Sequence, residues 1–156
     1  MDVRPFTPAD VGAIIDLWKT CGLVVPQNDP WRDISRKMHV DPELLMVGVE
    51  DEQIVATVMA GYEGHRGWIN YAAVHPDHRR RGYGRRMMGA AEQALEKLGC
   101  PKINLQVRSS NQDVVAFYQA LGYQADDVIS LGKRLVEDSG SGGDSGASGA
   151  SGGGGG

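Results

Sequence analysis

The chain is poor in the features that announce several large functional classes. Two of its 156 residues are cysteine, Cys21 and Cys100. They stand far apart, with neither a Cys-x-x-Cys pair nor Cys/His spacing around them, so neither a disulfide framework nor a metal site is expected. Both read as ordinary buried thiols. No stretch approaches the roughly 18 consecutive apolar residues of a membrane span, and Asp2 and Arg4 precede any apolar run at the N-terminus. The expected address is cytoplasmic, without a membrane partner. An excess of positive charge is missing too. The net charge is −4, and since Glu137, Asp138 and Asp144 lie beyond residue 136, residues 1 to 136 carry −1. A nearly neutral domain lacks the field that nonspecific nucleic-acid binding requires, so no nucleic-acid partner is expected.

What is present fits one globular domain. At 156 residues and 41% hydrophobic content the chain has material for one core. From Ser139 onward there is nothing but Gly, Ser, Ala and one Asp, a composition that cannot offset its own ordering entropy. The reading is a domain over 1–136 and a flexible tail over 137–156 with the composition of an engineered linker.

Within the domain, Asp2 to Phe6 reads as a short strand. Thr7-Pro8-Ala9-Asp10 then places a cap, a proline and an acid at a helix start. Val11, Ile14, Ile15 and Trp18 follow at helical spacing, and Gly22 supplies the stop. Asp29-Pro30 opens a shorter helix through about His39, after a loop from Leu23 to Asn28. Leu44 to Glu50, Gln53 to Tyr62 and Trp68 to Val74 read as an antiparallel meander. A long helix is expected from Gly82 to Leu98, with Met88, Ala91, Leu95 and Leu98 on one face, then a strand over Lys102 to Val107. Asn111 to Leu121 reads as another helix closed by Gly122, and strand material is expected between Tyr123 and Leu135. The predicted class is mixed α/β (α+β): a mostly antiparallel central sheet flanked by about four helices. An exposed sheet edge near the C-terminal strands is compatible with a homodimer.

The segment richest in chemistry is Val74-His75-Pro76-Asp77-His78-Arg79-Arg80-Arg81-Gly82-Tyr83-Gly84, which joins a strand to a long helix. A helix start leaves backbone N–H groups unpaired and carries partial positive charge, so it accepts phosphate readily. Gly82 and Gly84 remove Cβ atoms where a ligand must approach the main chain, and Arg79, Arg80, Arg81, Arg85 and Arg86 add charge-assisted donors. A P-loop is ruled out because no Gly-Lys-Ser/Thr follows, and a dinucleotide fingerprint fails at Met87. A solvated basic helix start and an RNA patch are the rival readings; the nearly neutral charge of the domain weighs against the latter.

Arg79 to Gly84 resembles the Gln/Arg-x-x-Gly-x-Gly/Ala signature of the GNAT acetyltransferase superfamily, and Asn111, Phe117, Tyr118 and Leu121-Gly122-Tyr123 resemble its second block. Gly-His-Arg-Gly at 64–67, Gly-Cys-Pro-Lys at 99–102 and Ser-Leu-Gly-Lys-Arg-Leu at 130–135 resemble the YpeA-type bacterial acetyltransferases. The resemblance implies an enzyme that moves acetyl from acetyl-CoA, a cosubstrate, to a primary amine on a small molecule or peptide. It places the pyrophosphate on the turn from Arg79 through Arg80, Arg81, Gly82, Tyr83 and Gly84 to Arg85, with Asn111 and Phe117 beside the cofactor. It places the pantetheine arm and the oxyanion at main-chain groups of Ala73 and Val74. Tyr118 takes the role of general acid toward the departing thiolate. Glu63 is the first candidate base, with Tyr71 and His75 as alternatives. Asn28, Asp29 and Trp31 would overhang the acceptor, although Asp29 also suits a helix cap. A noncatalytic acyl-CoA sensor is the alternative function. An ε-amine with pKa near 10.4 is neutral in only about one molecule in several thousand at pH 7, whereas an α-amine near 7.8 is neutral in about one in seven. Weakly basic acceptors therefore suit an enzyme without a firm base.

Overall fold

The computed structural model describes residues 1–138; the low-complexity segment from Ser139 onward lies outside the described residues. Five strands form one sheet in sequence order: β1 (Asp2–Pro5), β2 (Leu45–Glu50), β3 (Gln53–Tyr62), β4 (Gly67–Val74) and β5 (Ile103–Leu105). The first four are antiparallel and β5 runs parallel to β4. Four helices flank it: α1 (Val11–Thr20), α2 (Pro30–Lys37), α3 (Tyr83–Lys97) and α4 (Gln112–Ala120).

Local signals explain most boundaries. A 3₁₀ turn over Pro8–Asp10 leads into α1, and the Asp10 carboxylate accepts the Thr7 N–H at 2.7 Å while pairing with Arg4. Asp29 caps α2 through its carboxylate, which accepts from the N–H groups of Trp31 and Arg32. Asn111 caps α4 in the same way, accepting from the Val114 N–H. Asp51 and Glu52 both take positive φ, 49° and 62°, the two left-handed residues of a type I′ hairpin turn between β2 and β3.

The sheet separates two apolar layers. On one face α1 and α2 bury Ile14, Ile15, Trp18 and Ile34 against Leu45, Val47 and Ala73. On the other, Met87, Met88, Ala91 and Leu95 of α3, with Tyr118 of α4, cover Met46, Ala56, Val58 and Ile69. Leu98, expected on the buried face of α3, lies past the last helical turn and is half exposed. The two cysteines are free and only partly buried.

The expected C-terminal strand material does not form strands. Residues 124 to 138 follow the β5 edge through side-chain bonds, Lys102 and Asn104 to Asp126 and Gln106 to Ser130, without a backbone ladder. Val128, Ile129, Leu131, Leu135 and Val136 stay 59–91% exposed: β-branched composition favours a strand only where a face is buried. The segment ends on α2. Arg36 grips the Asp138 carboxylate with both guanidinium nitrogens at 2.9 and 2.7 Å, and Arg32 donates to the Glu137 carbonyl. Residues 137 and 138 are thus held against α2.

Candidate active site

The sheet opens ahead of the Arg79–Gly84 turn, between β4 and β5. Parallel pairing of β4 with β5 runs from Gly67↔Ile103 to Ile69↔Leu105 and stops there, so Asn70 to Val74 and Gln106 onward diverge into a cleft. A bulge on β4 sets what faces it. Thr57 pairs with Ala73 and Met59 with Asn70, so Tyr71 and Ala72 together oppose Val58. Tyr71 carries the turn of the chain with φ 48°, a left-handed conformation that costs a non-glycine residue about 1–2 kcal/mol.

One inserted residue reverses the alternation of the strand. Ile69 packs toward α3, yet Tyr71 and Ala73 pack toward α1, while Ala72 and Val74 join the α3 side. Main-chain groups reverse with the side chains. The His75 N–H bonds the Val55 carbonyl, which by the alternation of an antiparallel ladder directs Ala73 to β3 and leaves Ala72 and Val74 pointing into the cleft. Of the two expected main-chain contacts, Val74 is therefore presented and Ala73 is spent within the sheet. The Val74 carbonyl accepts from Arg79 Nε at 3.3 Å and from Cys21 Sγ at 3.4 Å.

At the mouth of the cleft α3 begins without a side-chain cap, and the N–H groups of Tyr83, Gly84 and Arg85 have no partner among the described residues. The two glycines serve different ends. Gly82 has φ 77° with open space where a Cβ would stand, whereas a Cβ on Gly84 would sit 3.0 Å from Phe117 Cζ. Gly82 thus leaves room for a ligand, and Gly84 lets Phe117 of α4 pack on the first turn of α3.

The arginines also divide. Arg81 pairs with Glu50 at 3.4 Å, and the same carboxylate takes the Tyr83 hydroxyl and faces His78 Nε2 at 3.4 Å. The Tyr83 hydroxyl bond holds the Glu50 carboxyl below its ordinary range. Arg80, at φ 65°, makes no ion pair among the described residues, and neither do Arg85 and Arg86. Arg79, which spends only its Nε on the Val74 carbonyl, has none either, so four of the five arginines lack a carboxylate partner among the described residues.

Tyr118 of α4 is 5% exposed in the layer against which Ala72 and Val74 pack, its ring edge-on to Phe117 and Tyr123 at 5.1 and 5.8 Å. Burial pushes its phenol up to about 12. Glu63 is not brought to this place. It follows Tyr62, which pairs with Gly67, while Val74 pairs with Ala56; six residues of β3 separate the two ends, about 20 Å. Its carboxylate accepts the N–H groups of Arg66 and His65, which hold its pKa down, so it closes the β3–β4 turn. His75 shapes the loop, its Nδ1 accepting the Asp77 N–H at 3.1 Å. Tyr71 donates to Asp33 at 2.6 Å and is raised by burial and by that carboxylate; neither condition suits a base. Trp31 stands exposed on α2.

The sequence profile of the Acetyltransferase (GNAT) family matches residues 11–123. The chain belongs to this family. It is an acetyl-CoA-dependent N-acetyltransferase. An acetyltransferase of Pectobacterium atrosepticum is 46% identical over 138 residues, 88% of this chain and 98% of that protein. An N-acetyltransferase of Yersinia pestis is 45% identical over the same shares. Among solved structures, the aminoglycoside acetyltransferase AAC(6')-Iy bound to a CoA bisubstrate analogue has a TM-score of 0.72 at 19% identity, over 85% of this chain and 97% of its own. The ribosomal-protein-S18-alanine N-acetyltransferase of Escherichia coli gives 0.66 at 21%, over 78% and 76%. Among the described residues no cluster of side chains could hold a metal ion, and no helix is long and apolar enough to cross a membrane.

Sequence reasoning missed Glu50, Thr57 and Asp33. Thr57 had a signal: it is a lone hydroxyl in the apolar run Val55 to Met59. Glu50 had none, since its partners lie 28 or more residues away.

Proposed function

We propose that the enzyme transfers acetyl from acetyl-CoA to a weakly basic primary amine, such as a peptide α-amine, by direct attack in the β4–β5 cleft. The observation that carries the reading is the conjunction of a Val74 N–H turned away from β3, the uncapped start of α3 and buried Tyr118 packed in the same layer as Val74. The N–H groups at Gly82 to Arg85, with Arg80 and Arg85, bind the pyrophosphate. The Val74 N–H, turned into the cleft by the bulge, meets the oxyanion.

Tyr118 supplies the hydroxyl for the departing sulfur. Full proton transfer from a phenol near 12 to a thiolate near 8.5 is uphill by about 5 kcal/mol. The phenol therefore acts chiefly as a hydrogen-bond donor while charge builds on sulfur, and solvent completes the protonation. With Glu63 at the far turn, an acceptor already part neutral at pH 7 needs no strong base, or loses its proton through water. The test is thiol release with acetyl-CoA and a panel of peptides with free N-termini, aminoglycosides, polyamines and amino acids. No turnover with any of them would overturn the reading; loss of turnover in Tyr118→Phe with acetyl-CoA affinity retained supports it.

A further inference from the structure

The bulge on β4 asks for support, because it strips a carbonyl of its ladder partner and holds a tyrosine left-handed. We propose that Thr57 is a positioning residue for acetyl transfer, its hydroxyl clamping the Tyr71 carbonyl so that Val74 faces the cleft. The proposal rests on the acetyl-transfer reading of the cleft.

Thr57 is fully buried in the middle of β3. Its Oγ1 donates to the Tyr71 carbonyl at 2.9 Å and accepts from Trp18 Nε1 at 2.9 Å. Both capacities of the hydroxyl are thereby used. The indole of Trp18, itself fully buried, lies flat on the Tyr71 ring at 3.8 Å and 11°, and Asp33 of α2 fixes the far end of that ring at 2.6 Å. Tyr71 is thus held at its carbonyl, its face and its hydroxyl, from β3, α1 and α2 in turn. Thr57 and Trp18 lie wholly within the core. Their effect passes through the strand: if Tyr71 returned to extended backbone the bulge would be lost, and the ladder's alternation would turn Val74 back toward β3.

This separates two roles that Thr57 could have. A residue that only fills the core would affect stability and leave the turnover of folded enzyme alone. A residue that orients Val74 would alter kcat while leaving KM for acetyl-CoA, which depends on the α3 turn, little changed.

The experiment compares Thr57→Val, which keeps shape and removes the hydroxyl, with Thr57→Ser, which keeps the hydroxyl. Wild-type turnover is measured first with the best amine of the panel; its absence would defeat the acetyl-transfer reading itself rather than the role of Thr57. The expected result is a fall in kcat of at least tenfold in Thr57→Val, with KM for acetyl-CoA within about threefold and most of the rate recovered in Thr57→Ser. Should Thr57→Val not fold, because the Trp18 N–H is left buried without a partner, the pair Trp18→Phe with Thr57→Val removes that donor and is compared with Trp18→Phe alone. A folded valine variant with kcat within twofold of its reference, or one whose loss lies wholly in KM for acetyl-CoA, overturns the proposal.

Discussion

Replacing Gly82 or Gly84 by alanine probes two glycines of one turn that the structure employs for opposite reasons. At Gly82 φ is 77° and no atom lies within 4 Å of an added Cβ, so crowding contributes nothing and the cost is that of the left-handed backbone, about 1–2 kcal/mol. At Gly84 the backbone is ordinary, and the added Cβ meets Phe117 Cζ at 3.0 Å and Cε2 at 3.4 Å. The Phe117 ring is 38% exposed and can retreat by a few tenths of an ångström. Alanine meanwhile favours the first turn of α3 by up to about 1 kcal/mol over glycine. The two effects nearly cancel, leaving Gly84→Ala within about 0.5 kcal/mol of the parent. Thermal unfolding followed by circular dichroism, without cofactor, separates the cases. Gly82→Ala should lower Tm by about 4–8 °C and Gly84→Ala by less than about 3 °C. Equal stability of Gly82→Ala and the parent, or a larger loss at Gly84 than at Gly82, would refute the division.

Further outcomes follow from the same geometry. Tyr118→Phe should lower kcat about 100-fold and leave acetyl-CoA affinity, measured by calorimetry, within a factor of about three. Glu63→Gln, at the far turn, should keep kcat within about twofold in the thiol-release assay. Arg4, and then the Thr7 N–H, lower the Asp10 carboxyl to about 2. Because its folded pKa lies below the ordinary 3.8, its stabilisation is complete above about pH 4 and is lost as pH falls toward 2; Asp10→Asn should flatten that limb of a urea-midpoint profile.

Where pattern and burial coincide, the sequence was a sufficient guide. The β2–β3–β4 meander, the four helices and their caps at Asp29 and Asn111 are local outcomes, set by alternation, proline and short polar side chains. A helix start with unpaired N–H groups after the Arg79 to Gly84 turn was legible as well. Three matters were not. The bulge at Tyr71 depends on Thr57 and Trp18, which are 14 and 53 residues away in the chain, and no local spacing betrays a reversed alternation. The fate of Arg81 depends on Glu50, a contact between the end of β2 and the turn before α3 that composition cannot reveal. The segment 124–138 has strand composition but finds salt links and amide bonds to β5 and α2 instead of a ladder.

The helix starts differ in a way that carries beyond the site. Asp29 and Asn111 complete the first turns of α2 and α4 from within the chain, whereas α3, whose buried Met87, Met88, Ala91 and Leu95 anchor one layer of the core, has no such side chain. An anion at Gly82 to Arg85 would complete that turn, and so acetyl-CoA enters the folding equilibrium as well as the reaction. At a cofactor concentration 100 times Kd the native state gains about 2.7 kcal/mol. In a cell, the persistence of this enzyme against unfolding and proteolysis is then tied to the supply of its own acetyl donor.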